Sequence, residues 1–581
     1  MKQFFYAMIV LLAAQACGQK DNPSQGGDPG QSETGLSKPA NVKLVEATET
    51  ALSFSWDAVS GADSYNYKLT ASGEKTVTGT VTQPSAKVEG LKAATEYSFQ
   101  VLAAAGDKKS LYSNAVKATT SGGGTVDPGD EVPIISICAD EPLVFTSSAT
   151  PKLGTSGLIQ VFDESGKVVD KIDMADMAKM VVLEDGTMVP KEQMNQETVL
   201  HTFLDMLHST RYRPVHYTPI RISGNVVSVK LHNEALAFGK KYTLSVDASC
   251  FGIPVTRTDF ALQVQSAPAG TTLKVAQDGS GDFFTLQGAL SYATTLGKDT
   301  AVTIELANGT YRELLYLRDK NNLTIKGASR EGAVIAYPNN ESYSTGSGAA
   351  VSSKPGLGAK VGAMGGRGLF LVESCDNLVL ENLTIENTFW ADDHKGQAET
   401  IYFNADGKRL TVENCSLVSW QDTFLCKGEV WVHNSLIAGH VDYIWGYPKA
   451  CLFEDCEIRS RAGGYIVQAR CPAGSKGFVF LNCTLTAEEG VAKGSMYLAR
   501  SGGDTSVNDN VTYINCAMSD VIAPAGWHTG KTPTPATPTA TDGWKEYGTT
   551  GVSTSSRNSY GRILTAAEAE PFSSKQAVLG W

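Results

Sequence analysis

Histidine is scarce in this chain, 8 residues among 581, and no two cysteines form a C-x-x-C pair. Zinc-site spacings are therefore missing, and neither a metal nor another cofactor is expected. Basic residues are also in the minority: 49 Lys and Arg against 61 Asp and Glu leave a formal net charge of -12. That balance argues against a nucleic-acid partner and against any general attraction to polyanions. Long apolar runs are lacking too. The run Phe4 to Ala14 is too short to span a bilayer as a helix.

That run follows Lys2 and leads to Ala16 and Cys17, so it reads as the core of a signal peptide over residues 1–17. A Cys directly after a small residue resembles a bacterial lipoprotein processing site, with Cys17 as the lipidated residue, although Ala14 stands where Leu is commoner. Residues 18–37, rich in Gly, Gln, Ser, Asp and Pro, form a flexible tether. The expectation is an exported, monomeric lipoprotein held to the membrane only by its lipid, on the periplasmic or cell-surface side of an outer membrane.

A chain of this length calls for two to four domains. Residues 38–120 carry short alternating runs (Leu52–Trp56, Tyr65–Leu69, Tyr97–Ala103) between Gly, Pro and Ser turns, the pattern of a small antiparallel sandwich. Trp56, the L-K-A-A-T-E-Y stretch ending at Tyr97, and the closing V-K-A-T-T resemble a fibronectin type III module, with Tyr97 at its tyrosine corner. Residues 121–131 are a linker by composition. Residues 132–268 resemble an immunoglobulin-like β domain, with a hairpin at Asp163–Asp170 and one helix around Gln196–His208. On that helix His201 and His208 would share a face. With His216 they read as solvated or packed side chains rather than ligands.

From residue 270 to 581 one unit recurs: an alternating strand, a polar Asn turn and a second strand, as in N-L-V-L-E-N-L-T-I-E-N and R-L-T-V-E-N-C-S-L. Such self-similarity marks a solenoid, in which each coil buries its apolar face on its neighbours. Cys415, Cys456, Cys483 and Cys516 each follow Asn or Asp at one position of the unit, which predicts an inward stack of small apolar side chains rather than disulfides. The turn asparagines are expected in the left-handed conformation or bonded along the stack. Lys531–Thr541 is a Pro/Thr loop beside the predicted groove, and Thr565 caps a terminal helix.

The stretch Gly396–Gly446 places Gln397 and Gln421 24 positions apart, and Asp422 and Asp442 20 apart, intervals that suit one coil. Equivalent positions of successive coils stack at about 4.8 Å. Two carboxylates so close cannot both ionise cheaply, so one becomes an acid while the other stays anionic. Amide donors beside them suit a developing oxyanion, and the set suits ester hydrolysis.

Q-A-E-T-I, Q-D-T-F-L and V-D-Y-I-W-G resemble, in order, three signature blocks of the pectin methylesterases. The likeness extends to G-T-Y-R-E at Gly309–Glu313, Y-I-V-Q-A-R at Tyr465–Arg470 and P-A-G-W at Pro524–Trp527, over about 310 residues. It implies an all-β chain: a right-handed parallel β-helix preceded by two β-sandwich-like modules. It further implies Asp442 as nucleophile toward a methylated galacturonate, Asp422 as acid and then base, Gln421 and Gln397 as oxyanion donors, and Arg500 as the residue that orients Asp442. The implied substrate is methyl-esterified homogalacturonan, whose esters reduce its charge, acted on by a monomer without a cofactor.

One departure stands out: where the family continues R-P-W, Arg500 is followed by Ser501 and Gly502. Trp445, Trp527, Tyr443 and Phe424 are the aromatic candidates for the sugar groove in its place. Lyases and polygalacturonases also use parallel β-helices, and a non-catalytic pectin-binding protein is a third class. A lyase's acidic calcium cluster is missing from the core stretch.

Overall fold

The computed structural model describes residues 36–47, 50–71, 75–92, 95–120, 134–147, 150–176, 178–182, 188–189, 199–217, 219–252, 260–341, 366–389 and 396–581. Cys17 and nearly all of the tether lie outside them. The described residues contain no helix long and apolar enough to cross a membrane. The chain divides into two compact units, Met1–Asp130 and Glu131–Trp581.

In the first unit, strands Lys43–Ala47, Ala51–Ser55 and Ser85–Glu89 form one sheet, and a second is built around Ser64–Thr70 and Glu96–Ala105. Their inward positions bury Leu52, Phe54, Trp56, Tyr65 and Phe99. The Phe54 and Phe99 rings stack at 4.0 Å. The tyrosine corner is present: the Tyr97 hydroxyl accepts from the Lys92 backbone N–H at 2.9 Å.

The second unit begins with a β-rich segment. Five strands, Val168–Asp173, Leu158–Asp163, Lys241–Val246, Phe260–Val264 and Ile134–Ile137, lie side by side. The expected hairpin joins the first two, with Gly166 at φ +79 in its turn. The helix expected around Gln196–His208 is not formed. Val199–His208 is a strand, paired antiparallel with Tyr212–Tyr217 through a turn at Ser209–Arg211. The reason is tertiary: Leu207 and Val215, on this hairpin, pack into the hydrophobic core of the solenoid. The shared helical face of His201 and His208 therefore does not exist. The side chains of His201 and His216 lie outside the described ones, and His208 pairs with Glu234 at 2.7 Å.

Three parallel faces make the solenoid. One runs from Thr272–Val275 to Gly561–Ile563, a second from Gly309–Tyr311 to Ala517–Met518, and a short third includes Leu315–Arg318, Phe370–Glu373 and Ile401–Asn404. The strand Phe424–His433 serves two faces, pairing with Ile401–Asn404 at its start and with Arg409–Glu413 at its end. It bends between them at Gly428, φ +77, where a Cβ would meet the Lys408 carbonyl oxygen at 2.5 Å. Turn residues Asn322, Asn377, Asn382, Asn414, Asn434, Asn482 and Asn515 all have positive φ. Their amides link up along the stack, Asn377 to Asn322 at 3.0 Å and Asn414 to Asn382 at 2.7 Å. Cys415, Cys456, Cys483 and Cys516 are buried free thiols, as expected of an inward stack. Thr565 and Glu568 form a capping box on the helix Ala566–Ala569, which a second short helix, Lys575–Leu579, follows.

The β-rich segment and the solenoid are joined by more than apolar contact. Helix Leu286–Thr295 opens the solenoid. The Asp140 carboxylate, from the preceding segment, accepts from the backbone N–H of Phe284 at 2.9 Å and of Thr285 at 2.7 Å, and from the Thr285 hydroxyl at 2.6 Å. Gln287 and Ser291 of that helix donate to the His208 carbonyl at 3.1 and 2.7 Å. Asp140→Ala should therefore lower stability by about 1–2 kcal/mol, the range for a lost helix-start carboxylate. Thermal unfolding checks this, and an unchanged melting temperature would show that the joint does not depend on that cap.

Candidate active site

Asp422 lies between the strands Ser416–Val418 and Phe424–His433, and Asp442 between Leu436–Gly439 and Ile444–Glu454. Phe424 and Ile444 are direct partners in the parallel ladder, so the two aspartates occupy the same turn position one coil apart. Both adopt the left-handed conformation, φ 64 at Asp422 and φ 52 at Asp442. Their backbone N–H groups donate onward along the stack, Asp422 to Val441 O at 3.2 Å and Asp442 to Tyr465 O at 2.9 Å. Gln397 and Gln421 form an isolated parallel bridge beside them.

The two carboxyls meet different partners. Arg500 Nε donates to Asp442 Oδ1 at 2.7 Å and Oδ2 at 2.9 Å, and its Nη2 also bonds Oδ2. Gln468 Nε2 approaches Asp442 Oδ2 at 3.4 Å. Asp422 Oδ2 accepts instead from Gln397 Nε2 at 2.8 Å and from Arg367 Nη2 at 3.1 Å. Arg367 is divided between carboxyls, because its Nε donates to Glu399 Oε1 at 2.8 Å.

This makes a set of three buried carboxyls and two guanidiniums. Arg500 serves Asp442, and Arg367 brings a single positive charge to both Glu399 and Asp422. A buried set of that composition is neutral only if one carboxyl keeps its proton. Burial first, then the charge of Glu399, holds Asp422 well above the ordinary carboxylate range, against the opposing pull of Arg367. Burial likewise pushes Glu399 up to about 7, again opposed by Arg367. Glu399 is fully buried, and its Oε2 has no hydrogen-bond partner among the described residues.

The structure thus brings together Asp442, Asp422, Gln397, Gln421 and Arg500. Gln397 is engaged with Asp422, whereas Gln421 is half-buried and its bridge to Gln397 runs through the backbone. The aromatic candidates fare differently. Phe424 is fully buried and packs on Phe453, Tyr443 is buried with its hydroxyl 3.2 Å from Ser460 Oγ, and Trp527 is buried and stacked on Trp544 at 5.4 Å. Those three are core side chains and cannot stack on a sugar, because their rings are buried in the hydrophobic core of the solenoid. Trp445 is 6% exposed, its ring flanked by the guanidiniums of Arg367 and Arg470 at 5.7 and 5.3 Å.

Sequence reading missed Arg367, the role of Glu399, Gln468 and an aromatic cluster. Tyr465 covers the Arg500 guanidinium at 5.3 Å, with His528 against it at 4.6 Å and Tyr497 at 6.1 Å. Glu399 and Gln468 lay inside the quoted Q-A-E-T-I and Y-I-V-Q-A-R blocks, whereas G-G-R-G around Arg367 carried no signal. After Arg500, Ser501 bonds Asp509 at 2.9 Å, and a Cβ at Gly502 would meet open space. The Pro/Thr loop reaches this point through Lys531, whose Nζ donates to Gly502 O at 2.8 Å.

Two family models match this chain. The pectinesterase family model matches residues 272–580, and the fibronectin type III domain model matches residues 37–119. Pectinesterase 31 of Arabidopsis thaliana is 33% identical over 263 residues, 44% of this chain and 76% of its own. Probable pectinesterase A of Aspergillus niger is 31% identical over 294 residues, 49% of this chain and 82% of its own. Among solved structures, pectin methylesterase PemA from Erwinia chrysanthemi is 25% identical, with a TM-score of 0.44, covering 54% of this chain and 98% of its own.

The shared proton has a consequence for stability. A carboxyl raised to about 7 in the folded state stabilises the fold fully below its unfolded value and loses that contribution as pH rises through about 7. Between about pH 5 and 7 the wild-type stability should thus carry a downward slope of up to about 1.4 kcal/mol per pH unit from this group. Glu399→Gln should flatten the slope, measured by denaturant unfolding across that range. Parallel curves for the two proteins would show that this set of carboxyls does not share a proton.

Proposed function

This chain belongs to the pectinesterase family, and from that premise we propose that it hydrolyses the methyl esters of galacturonate residues in pectin, releasing methanol, with Asp442 as nucleophile and Asp422 as acid and base. The observation that carries the assignment of roles is the unequal setting of two stacked aspartates. Asp442 is gripped by Arg500, and Asp422 is buried beside a guanidinium that it shares with Glu399.

A carboxylate oxygen of Asp442 attacks the ester carbonyl carbon, and the carbonyl oxygen becomes an oxyanion. In this reading Gln421 is the amide that donates to it, while Gln397 holds Asp422. As the tetrahedral adduct collapses, the carbon–oxygen bond to the methoxy group breaks and the leaving oxygen takes the Asp422 proton, giving methanol and an acyl anhydride on Asp442. Asp422, now anionic, takes a proton from water, whose oxygen attacks the anhydride carbonyl. Collapse restores the Asp442 carboxylate and the protonated Asp422, with a galacturonate carboxyl as product. Arg500 keeps Asp442 aimed through both halves, and every step is supplied by side chains of the chain itself. Trp445, beside Arg367, and Tyr465, over Arg500, are the proposed substrate contacts where the family's R-P-W tryptophan is missing.

We further propose that Cys17 carries a lipid which anchors an exported, monomeric protein, an inference from the Ala16–Cys17 step alone. Cys17→Ala should move the protein from the membrane fraction to the soluble one, and unchanged membrane association with normal processing would refute the anchor.

The function is tested on methylated pectin. Wild-type protein should release methanol, with neither the absorbance of an unsaturated uronate nor new reducing ends. Asp442→Asn should cut the rate by about 10³-fold or more without unfolding the chain. Asp422→Asn should also be severely impaired, and the double variant should match the worse single one, because the two act as a unit. Near-normal turnover in Asp442→Asn would remove the nucleophile assignment.

A further inference from the structure

Arg213 belongs to the strand Tyr212–Tyr217 of the β-rich segment, ahead of the solenoid, yet it is fully buried. Its Nη2 donates to the carbonyls of Gly366 at 2.9 Å and Gly368 at 2.5 Å, and its Nη1 to those of Leu315 at 2.6 Å and Leu369 at 3.3 Å. The residue between the two glycines is Arg367. Asn339 Nδ2 seconds the grip on the same two glycine carbonyls, at 3.1 and 3.3 Å.

We propose that Arg213 is a positioning residue of the esterase site: by holding the backbone on both sides of Arg367, it fixes the guanidinium shared by Asp422 and Glu399. The inference rests on the roles proposed above for Asp422 and Asp442, and it makes the segment before the solenoid part of the active site. A buried arginine that only joined two layers could bind any exposed carbonyls. This one binds the carbonyls that flank the single guanidinium in contact with the acid. Gly366, at φ +73, and Gly368 offer no side chains to hold this backbone, so it is fixed through its carbonyls. A guanidinium has the fork of donors needed to bind several carbonyls at once, which an ammonium lacks.

The charged and titratable groups around the acid set the sign of the test. Asp422 faces Arg367, Glu399, Asp442 and, through Asp442, Arg500. Glu399 faces Arg367 and Glu341, and Arg213 faces Tyr316, Glu373 and Glu399. If Arg367 drifts, Asp422 loses its nearest positive neighbour and holds its proton to higher pH. If Glu399 is neutralised, Arg367 is left to Asp422 alone and the proton leaves at lower pH.

The experiment is the pH dependence of kcat/KM for methanol release by the full chain, in which loss of the Asp422 proton gives the falling limb. Arg213→Met should move that limb to higher pH by at least about half a unit and lower kcat about tenfold, with KM within about twofold. Arg367→Met should shift the limb the same way, and Glu399→Gln the opposite way. Asp140→Ala weakens the same joint without touching Arg367, so it should lower the melting temperature and leave the limb in place. If Arg213→Met does not fold, Arg213→Lys is measured in the same way. A wild-type limb in the Arg213 variant that folds, an equal shift in Asp140→Ala, or failure of both Arg213 variants to fold would overturn the proposal in favour of a purely structural joint. Absence of methanol release from wild-type protein would instead remove the functional reading on which it rests.

Discussion

The site depends on the parallel register between Phe424–His433 and Ile444–Glu454. Because Phe424 pairs with Ile444, the turns before these strands lie one above the other, and the aspartate in each turn inherits that spacing. No side-chain contact has to bring the carboxyls together, since the main-chain ladder does so. Both aspartates occupy left-handed turns, a conformation that Asp and Asn tolerate better than most residues. Asn414, Asn434 and Asn482 adopt the same left-handed conformation at another corner of the coil, after the strands Arg409–Glu413, Phe424–His433 and Gly477–Leu481.

That register alone would give two equivalent acids. The distinction between them comes from their surroundings: Arg500, two coils beyond, closes on Asp442, whereas Asp422 must share Arg367 with Glu399. In the proposed mechanism, unequal partners convert a repeated structure into a nucleophile and an acid. The Asp442–Arg500 pair is oriented by geometry within the solenoid. The Asp422–Arg367 contact instead depends on a glycine-flanked backbone whose carbonyls are held by Arg213.

Much of this was legible in the sequence because a solenoid repeats its signals. The Asn turns, the cysteine stack and the 20-residue interval between Asp422 and Asp442 are each visible as spacing, and the motif blocks around them pointed to the pectinesterases. Three kinds of information were not visible. Alternation along a strand does not say which face is inward where a strand serves two faces of the solenoid, so Phe424 and Tyr443 read as groove residues when they are core. The helix expected around Gln196–His208 was overridden by a strand partner and by the solenoid core into which Leu207 and Val215 pack. Arg213 and Arg367 are 154 positions apart (367 minus 213) and sit in segments without repeats. Only the folded chain shows that one holds the other.

The central claim is that one buried proton resides on Asp422 while Asp442 is ionised. Infrared difference spectroscopy of the resting protein at neutral pH, wild type against single Asp→Asn and Glu→Gln variants, tests it most directly. The account predicts a carbonyl band of a protonated carboxyl that is present in the wild type and disappears in Asp422→Asn. A band that survives in Asp422→Asn, or no such band in the wild type, would contradict it.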